Sequence, residues 1–182
     1  MSVDKDADFV EFVQARSSAL LRTATLLTAG DRHAAEDLVQ GALAKAYVAW
    51  WRIRRQGAQE AYVRTTMTRA AIDRTRGRAR RPEVLVDEVP ETTHRPAGAA
   101  DAVGDRQAVW QLLASLSPRQ RTVLVLRYYE DLSEAEIART LGCSQGSVKA
   151  HASRGIAALR TAIQADEDVK EETRWTPSSR NA

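Results

Sequence analysis

Residues 117–160 read SPRQRTVLVLRYYEDLSEAEIARTLGCSQGSVKAHASRGIAALR, and this stretch carries the clearest structural signals of the chain. It opens with Ser117, Pro118 and, three positions after the serine, Gln120. This order matches a helix N-cap, a proline at the first helical position and the glutamine of a capping box. A helix is therefore predicted to begin at Pro118, and the short apolar run at 123–126 is assigned to that helix rather than to a strand.

A second capping box follows at Ser133 and Glu136, directly before another short apolar run. Gly142 then allows the positive φ with which many helices end. Ser144 can open the next helix after only a few residues of turn. Two helices joined so closely predict a helix-turn-helix.

The helix that follows has two contrasting faces at about 100° per residue. One stripe is apolar: Val148, Ala152, Ile156, Leu159 and Ile163. The opposite face is small or cationic: Gly146, Ser147, Ala150, Ser153, Arg154 and Ala157, flanked by Lys149 and His151. Such a face can approach the floor of the major groove of duplex DNA. The alternative is an ordinary surface helix whose alanines serve helix propensity.

The composition excludes several classes of protein. There is no apolar run of about eighteen residues, and the acidic start lacks the apolar core of a signal peptide. Cys143 is the single cysteine, and the three histidines lack metal-ligand spacing. We therefore expect a cytoplasmic protein without membrane segment, metal, cofactor or catalytic residues.

The net charge of +3 conceals a strong segregation along the chain. Residues 51–81 hold ten arginines against two acids, whereas residues 82–104 hold one arginine against five acids. Residues 117–165 are again basic, and the tail from 166 is acidic. Two basic blocks separated by an acidic stretch indicate two polyanion-binding modules on a tether.

Helical spacing of apolar residues predicts helices at about 8–27, 31–53, 59–78 and 105–116, before the helix-turn-helix. Pro82, Pro90 and Pro96 mark the acidic stretch between the two basic blocks as a linker. The predicted fold is all-α: two small helical domains at 8–81 and 105–165, joined by a flexible acidic linker at 82–104. The acidic tail, 166–182, is expected to be disordered.

The first basic block also carries aromatic residues, a combination that suits single-stranded nucleic acid. The candidate contacts are Trp51, Tyr62, Arg64, Thr65, Arg69, Arg74 and Arg76. Adjacent helical residues point about 100° apart, so Trp50 and Trp51 cannot both be central to the core. We assign Trp50 to the core, whereas Trp51 fits either the core edge or an exposed contact.

Three segments together resemble an extracytoplasmic-function sigma factor of the sigma-70 family, of the actinobacterial type. They are AAEDLVQGALAKAYVAW (34–50), AYVRTTMTRAAIDRTRGRAR (61–80) and the helix-turn-helix stretch quoted above. The resemblance extends over roughly residues 9–159, with both domains in the family's order. It is specific because the AEDLVQ string, the Asp73 and Arg76 pair and the helix-turn-helix occur in one chain.

The resemblance implies a role for each segment and names the partners: core RNA polymerase and promoter DNA, with an anti-sigma factor left open. The helix-turn-helix would recognise the upstream (−35) element as duplex, through Ser144, Gln145, Ser147, Lys149, Ala150, His151 and Arg154. The basic aromatic block would capture the melted downstream (−10) element. The AEDLVQ helix would dock on the polymerase clamp through Glu36, Asp37 and Gln40. Nucleotide chemistry would belong to the polymerase.

The chain departs from the family pattern at two places. It has Thr68-Arg69 where many members have Arg-Asn, and Ala150-His151 where many have Ser-Arg. Two other functions fit parts of the sequence. A dimeric helix-turn-helix regulator would leave the AEDLVQ helix and the basic aromatic block unexplained. A nucleic-acid enzyme would need its carboxylates from Asp31, Glu36 and Asp37, which fit a solvated helix start equally well.

Overall fold

The computed structural model describes the backbone of residues 2–80 and 100–174 and the side chains of residues 5–74 and 106–168. Within these ranges the chain forms eight α-helices and no strand, which confirms the all-α prediction. The helices are α1 (Ser2–Leu27), α2 (Arg32–Val48), α3 (Trp50–Arg55), α4 (Gln59–Arg80), α5 (Ala100–Ser115), α6 (Pro118–Tyr128), α7 (Glu134–Leu141) and α8 (Gln145–Arg174).

The N-terminal domain, α1 to α4, is built around Trp50, whose side chain is 1 % exposed. Phe9 meets the indole edge-to-face with ring centroids 5.0 Å apart, and Phe12 lies 5.3 Å away. Val63 and Met67 of α4 close the core from the other side and are fully buried. The assignment of Trp50 to the core is confirmed.

The prediction of one continuous helix from Asp31 to about Ile53 is wrong in one respect. The helix is interrupted at Ala49. This residue has φ −90° and ψ 6°, and it separates α2 from α3. Trp50 is the first residue of α3 and turns into the core, while Trp51 remains 38 % exposed. No proline or glycine marks the break in the sequence. We attribute it to the packing of Trp50 against α1.

The C-terminal domain, α5 to α8, confirms the predicted helix-turn-helix. Both capping boxes are present, at Ser117 with Gln120 and at Ser133 with Glu136. Gly142 ends α7 in the left-handed region, with φ 64° and ψ 43°. The core contains these fully or nearly fully buried residues: Leu116, Val123, Leu124, Leu126, Ile137, Ala138, Val148 and Ala152.

The helix ends extend beyond the sequence prediction in three places. Helix α1 already begins at Ser2, and α5 begins at Ala100, inside the predicted linker. Helix α8 continues to Arg174, so the expected disorder of the tail is wrong for 166–174. Proline is absent from this stretch and good helix formers prevail, so the helix has no reason to stop. The rest of the tail, 175–182, and most of the linker lie outside the described residues.

The two domains pack against each other, which the charge pattern did not predict. Helices α1 and α4 contact α6, and α4 also contacts α7. Val125 of α6 is buried in the N-terminal core rather than in its own domain. Trp110 of α5 lies over Gly30 in the turn after α1; a Cβ on this glycine would come within 2.7 Å of the indole. The charge segregation predicted two modules on a tether. Their packing could not be predicted, because sequence spacing carries no information on such contacts.

Candidate nucleic-acid interface

The N-terminal half of α8 is held by the turn that precedes it. Ser144 caps the helix, since its Oγ accepts a hydrogen bond from the N–H of Ser147 at 3.1 Å. Below, Val148 and Ala152 are buried, as predicted, against α6 and α7. Gly155 packs so closely on Leu124 that a Cβ would come within 3.0 Å of it. These contacts fix which face of α8 points outward.

The outward face presents the predicted duplex-binding residues together. Five of them are exposed: Ser144, Gln145, Lys149, Ala150 and Arg154. Ser147 and His151 are half-buried at the margin of the face. Lys149 Nζ is 3.6 Å from Glu134, and Arg154 Nε donates to the Ala150 carbonyl at 3.2 Å. The predicted apolar stripe is wrong at Ile163, which lies beyond the core and is 43 % exposed.

His151 differs from its neighbours in its protonation. Partial burial lowers the pKa of this imidazole, and the positive charges of Arg154 and Arg119 lower it further. A neutral imidazole has one nitrogen that donates and one that accepts a hydrogen bond. It can therefore contact either a donor or an acceptor on a base edge, which the arginine common in the family cannot.

A basic groove beside α8 was missed by the sequence analysis. Arg127 and Tyr128, at the end of α6, face Lys149, Ser153 and Arg160 of α8 across a floor that includes Ala152 and Ile156. Tyr128 is 65 % exposed, and Arg127 is held by Glu134 at 2.9 Å. Cations at such a position suit phosphates, which position a protein on DNA. In the sequence, the adjacent Arg127 and Tyr128 could have indicated a phosphate-binding surface, but only the fold shows that they lie beside α8.

In the N-terminal domain, Trp51 is the accessible aromatic residue. Its side chain is 38 % exposed, and the Arg54 guanidinium lies 5.6 Å from the ring centroid. Arg54 is itself oriented by an ion pair with Asp8. Of the two options left by the sequence, this placement favours an exposed contact. A ring with an adjacent cation can stack a base and attract its phosphate.

The remaining candidates on α4 occupy different environments. Tyr62 is half-buried against the N-terminal core, and Thr65 is half-buried as well. Thr68, at the position where the chain departs from the family pattern, is fully buried and donates to the Arg64 carbonyl at 2.9 Å. Arg74 is exposed and pairs with Asp37 at 3.1 Å. The side chain of Arg76 lies outside the described residues.

Arg64 and Arg69 both contact the C-terminal domain, which the sequence pattern did not predict. Arg64 is largely shielded from solvent, whereas Arg69 is exposed. Arg64 donates to Glu130 at 2.8 Å and to Glu60 at 3.2 Å, and its side chain is only 19 % exposed. Arg69 donates from Nε to the Thr140 carbonyl at 3.1 Å. Both contacts with the C-terminal domain arise because α6 and α7 pack against α4. In this arrangement Arg64 is unavailable to DNA.

The predicted polymerase-binding residues lie between the start and the middle of α2. Asp31 caps this helix, accepting the N–H of Ala34 at 2.9 Å. Glu36 is half-buried and pairs with Arg32 at 2.9 Å, whereas Asp37 and Gln40 are exposed. Buried residues such as Leu38 and Val39 occupy the opposite side. The structure therefore brings an acid and an amide together on one open helix face.

Among the described residues, no cluster of three or more histidine, cysteine, aspartate or glutamate side chains is arranged to hold a metal ion. The same part of the chain contains no helix with the length and apolar character needed to cross a membrane. Several carboxylates near the basic surfaces form ion pairs, among them Asp37, Glu60 and Glu134, and Asp31 caps α2.

Comparisons with known proteins agree with this geometry. The family model described as Sigma-70 region 2 matches residues 12–81, and that described as Sigma-70, region 4 matches residues 106–159. The first match spans α2 to α4, and the second spans the helix-turn-helix.

Individual relatives match over most of the chain. The RNA polymerase sigma-E factor of Streptomyces coelicolor is 37 % identical over 158 residues, covering 87 % of each chain. That of Streptomyces antibioticus is 35 % identical, covering 86 % of this chain and 85 % of the relative. The sigma factor RpoE of Bartonella quintana, solved in complex with the anti-sigma factor NepR, shares the fold with TM-score 0.63 at 23 % identity, covering 87 % of this chain and 98 % of that chain. The chain belongs to the extracytoplasmic-function group of the sigma-70 family, the RNA polymerase sigma factors that direct transcription initiation from specific promoters.

Proposed function

We propose that this sigma factor divides promoter recognition between two surfaces and binds core RNA polymerase with a third. The outward face of α8 recognises the upstream (−35) element as duplex. The surface around Trp51 and α4 captures the melted downstream (−10) element, and the exposed face of α2 docks on the polymerase clamp. The observation that carries the proposal is the α8 face, which combines small residues with Lys149 and Arg154 above a fully buried Val148.

The duplex contact follows from the shape and charge of α8. Ser144, Ser147 and Ala150 are short enough to let the helix enter the major groove. Arg154 can then reach base edges, while the basic groove at Arg127 and Arg160 lies where backbone phosphates can bind.

The single-strand contact depends on Trp51. A base stacked on an aromatic ring contributes about 1–3 kcal/mol, whereas extrusion of a base from the duplex costs a few kcal/mol. Trp51 and Arg54 together can offset much of that cost, and the arginines of α4 add attraction for phosphates. This chain would thus stabilise melted DNA without any chemistry of its own, and we assign nucleotide transfer to the polymerase.

The polymerase contact is proposed for Asp37 and Gln40, with Glu36 beside them. An exposed carboxylate next to a basic clamp surface gives a contact that weakens as salt increases. Because bacterial promoters and RNA polymerase lie in the cytoplasm, we propose that the protein acts there. The family resemblance also leaves an anti-sigma factor as a further partner, which affinity purification from the native host would identify.

The decisive experiment is transcription with purified core RNA polymerase, on a promoter found by sequencing DNA bound to the protein in its native host. We expect Lys149→Ala with Arg154→Ala to reduce transcription and upstream-element binding by the holoenzyme. Arg106→Ala, which removes an exposed cation from α5, is the control and should leave both unchanged. Trp51→Ala should instead impair promoter melting, monitored by permanganate reactivity of unpaired thymines.

The polymerase contact is tested separately with Asp37→Lys. This variant should co-purify less with core enzyme, because the charge reversal opposes the clamp, while its circular dichroism remains that of the wild type. Tight, sequence-specific DNA binding by the free chain at physiological salt, combined with no stimulation of core enzyme, would contradict the proposal and favour a dimeric regulator.

A further inference from the structure

A single carboxylate, that of Glu130, connects the two domains. It lies just after α6 and accepts hydrogen bonds from Arg64 Nε, at 2.8 Å, and from the hydroxyl of Thr23. Arg64 belongs to α4 and Thr23 to α1, so two of the four helices of the N-terminal domain bind the same side chain. Leu20 and Met67 line the same small cavity.

The ion pair between Arg64 and Glu130 is largely shielded from water. The two side chains are 19 % and 16 % exposed, less than in any other ion pair resolved in residues 5–74 and 106–168. Without Glu130, Arg64 would keep only Glu60, at 3.2 Å, a partner whose side chain is 42 % exposed. Its charge would then be less well compensated in a poorly solvated place, which is costly. Loss of the ion pair should therefore change how the domains sit together more than the loss of a surface pair would.

Other contacts hold the same pair of surfaces together. Arg69 of α4 donates to the Thr140 carbonyl of α7, and Arg121 of α6 donates from Nη1 to the Leu27 carbonyl at 3.2 Å. Val125 completes the apolar part of the contact, buried in the N-terminal core. Two of the arginines assigned to single-stranded DNA, Arg64 and Arg69, are thus engaged by the C-terminal domain.

We propose that the free chain rests in a closed form in which Glu130 competes with single-stranded nucleic acid for Arg64. The inference rests on the proposed role of α4 in binding the melted element. A carboxylate and a phosphate oxygen are both anionic acceptors for a guanidinium, so one Arg64 cannot satisfy both in full. Nucleic acid that binds the open form better shifts the population toward it. The outward face of α8 remains exposed in the closed form, so only the single-strand surface is restrained.

The first test measures the distance between domains in the full chain. Spin labels are placed at Val48→Cys and Ala165→Cys, two exposed positions, in a Cys143→Ser background, and distances are obtained by pulsed electron paramagnetic resonance. For the parent protein, which keeps Glu130, we expect a narrow distribution of label distances with a short mean. For Glu130→Gln we expect a broader distribution with a longer mean. Glu167→Gln removes the same charge from an exposed site on α8 and should match the parent protein.

A charge exchange provides a second arm. Glu130→Arg places a cation against Arg64 and should open the protein, whereas Arg64→Glu combined with Glu130→Arg should restore the short distance. Circular dichroism establishes that each variant is folded. Distances in Glu130→Gln and Glu130→Arg equal to those of the parent would overturn the closed form while leaving the proposed promoter contacts untouched.

The competition is tested with a fluorescein-labelled, single-stranded 20-nucleotide DNA of mixed sequence. Fluorescence anisotropy should show about 3- to 10-fold tighter binding by Glu130→Gln than by Glu167→Gln, because the apparent affinity follows the fraction of chain in the competent form. If Glu130→Gln opens the protein but binds this DNA no better than Glu167→Gln, competition is refuted and Arg64 is removed from the single-strand surface.

Discussion

At the level of single residues, the break at Ala49 gives the two adjacent tryptophans different environments. We expect Trp50 to contribute to stability and Trp51 to DNA binding. Trp50 is 1 % exposed and Trp51 38 % exposed, although they are neighbours in α3. Trp50→Ala is expected to lower the free energy of unfolding by about 3–5 kcal/mol, because it empties the centre of the core. Trp51→Ala should leave stability almost unchanged and weaken single-stranded DNA binding by about 1–3 kcal/mol. Urea denaturation and anisotropy on the same proteins check both.

Trp50→Phe is the matched control for the core. No hydrogen-bond partner is found for the buried Trp50 Nε1 in the described part of the chain, so phenylalanine would lose volume but no hydrogen bond. Its destabilisation should be clearly smaller than that of alanine. A larger loss of stability in Trp51→Ala than in Trp50→Ala would contradict the assignment of the two rings.

His151 should make the stability of the C-terminal domain depend on pH. Its pKa is lowered from the ordinary 6.5, mainly by burial and then by Arg154 and Arg119. Between the folded and unfolded pKa values the unfolded chain binds more protons, so stability decreases as the pH falls. We expect the melting temperature to decline from about pH 7.5 to about pH 5.5 and to decline less in His151→Gln. Equal slopes for the two proteins would exclude His151 as the source.

Residue environments could be predicted from sequence where they follow from helix periodicity. The burial of Val148 and the exposure of Arg154 are of this kind, because they lie on opposite faces of one helix. The partner of Arg64 could not be predicted, since Glu130 is 66 positions away and nothing local identifies it.

At the level of the helices, the capping serines should contribute more to the stability of the fold than the small size of their side chains suggests. Ser133 accepts the Glu136 N–H at 3.3 Å, and the Glu136 carboxylate accepts the Ser133 N–H at 2.9 Å. Ser133→Ala is expected to lower the free energy of unfolding by about 0.5–2 kcal/mol, because α7 is short and loses its cap. Ser153→Ala, on the exposed face of α8, serves as the control in thermal melts. A similar effect of both substitutions would refute the special role of the cap.

Helix starts marked by a capping residue were predicted well from sequence. Pro118 and Glu134 begin helices where the capping boxes place them, and Gly142 ends one by its left-handed backbone. Boundaries without such markers were predicted poorly. The break at Ala49 depends on core packing, and the extension of α8 has no local stop signal to define its end.

At the scale of the whole molecule, two glycines with positive φ offer a matched pair. Gly30, with φ +89°, lies under Trp110, whereas Gly57, with φ +63°, has no other atom within 4 Å of an added Cβ. Alanine at either site should cost roughly 1–2 kcal/mol of backbone strain. Only Gly30→Ala should also displace Trp110 and lengthen the distance between the spin labels. Equal distances in the two variants would show that the Trp110 contact does not hold the domains together.

The two-domain organisation was predicted from charge segregation and motif order, but the contact between domains was not. The basic blocks at 51–81 and 117–165 predict two polyanion-binding modules on a tether, because an acidic stretch separates them. In the structure, acidic Glu130 of the second block pairs with Arg64 of the first, and Val125 adds an apolar contact. Such local complementarity within a generally basic surface is a property of the fold, and average charge conceals it.

The interdomain hydrogen bond from Thr23 to Glu130 joins residues 107 positions apart, and this separation has a consequence for synthesis on the ribosome. At about 5–20 residues per second, the N-terminal domain is complete seconds before Glu130 leaves the ribosome, and domains generally fold in that order. Arg64 and the surface that later receives Val125 are therefore uncovered during translation. Single-stranded nucleic acid that reaches α4 at that moment would meet no competing carboxylate from the C-terminal domain.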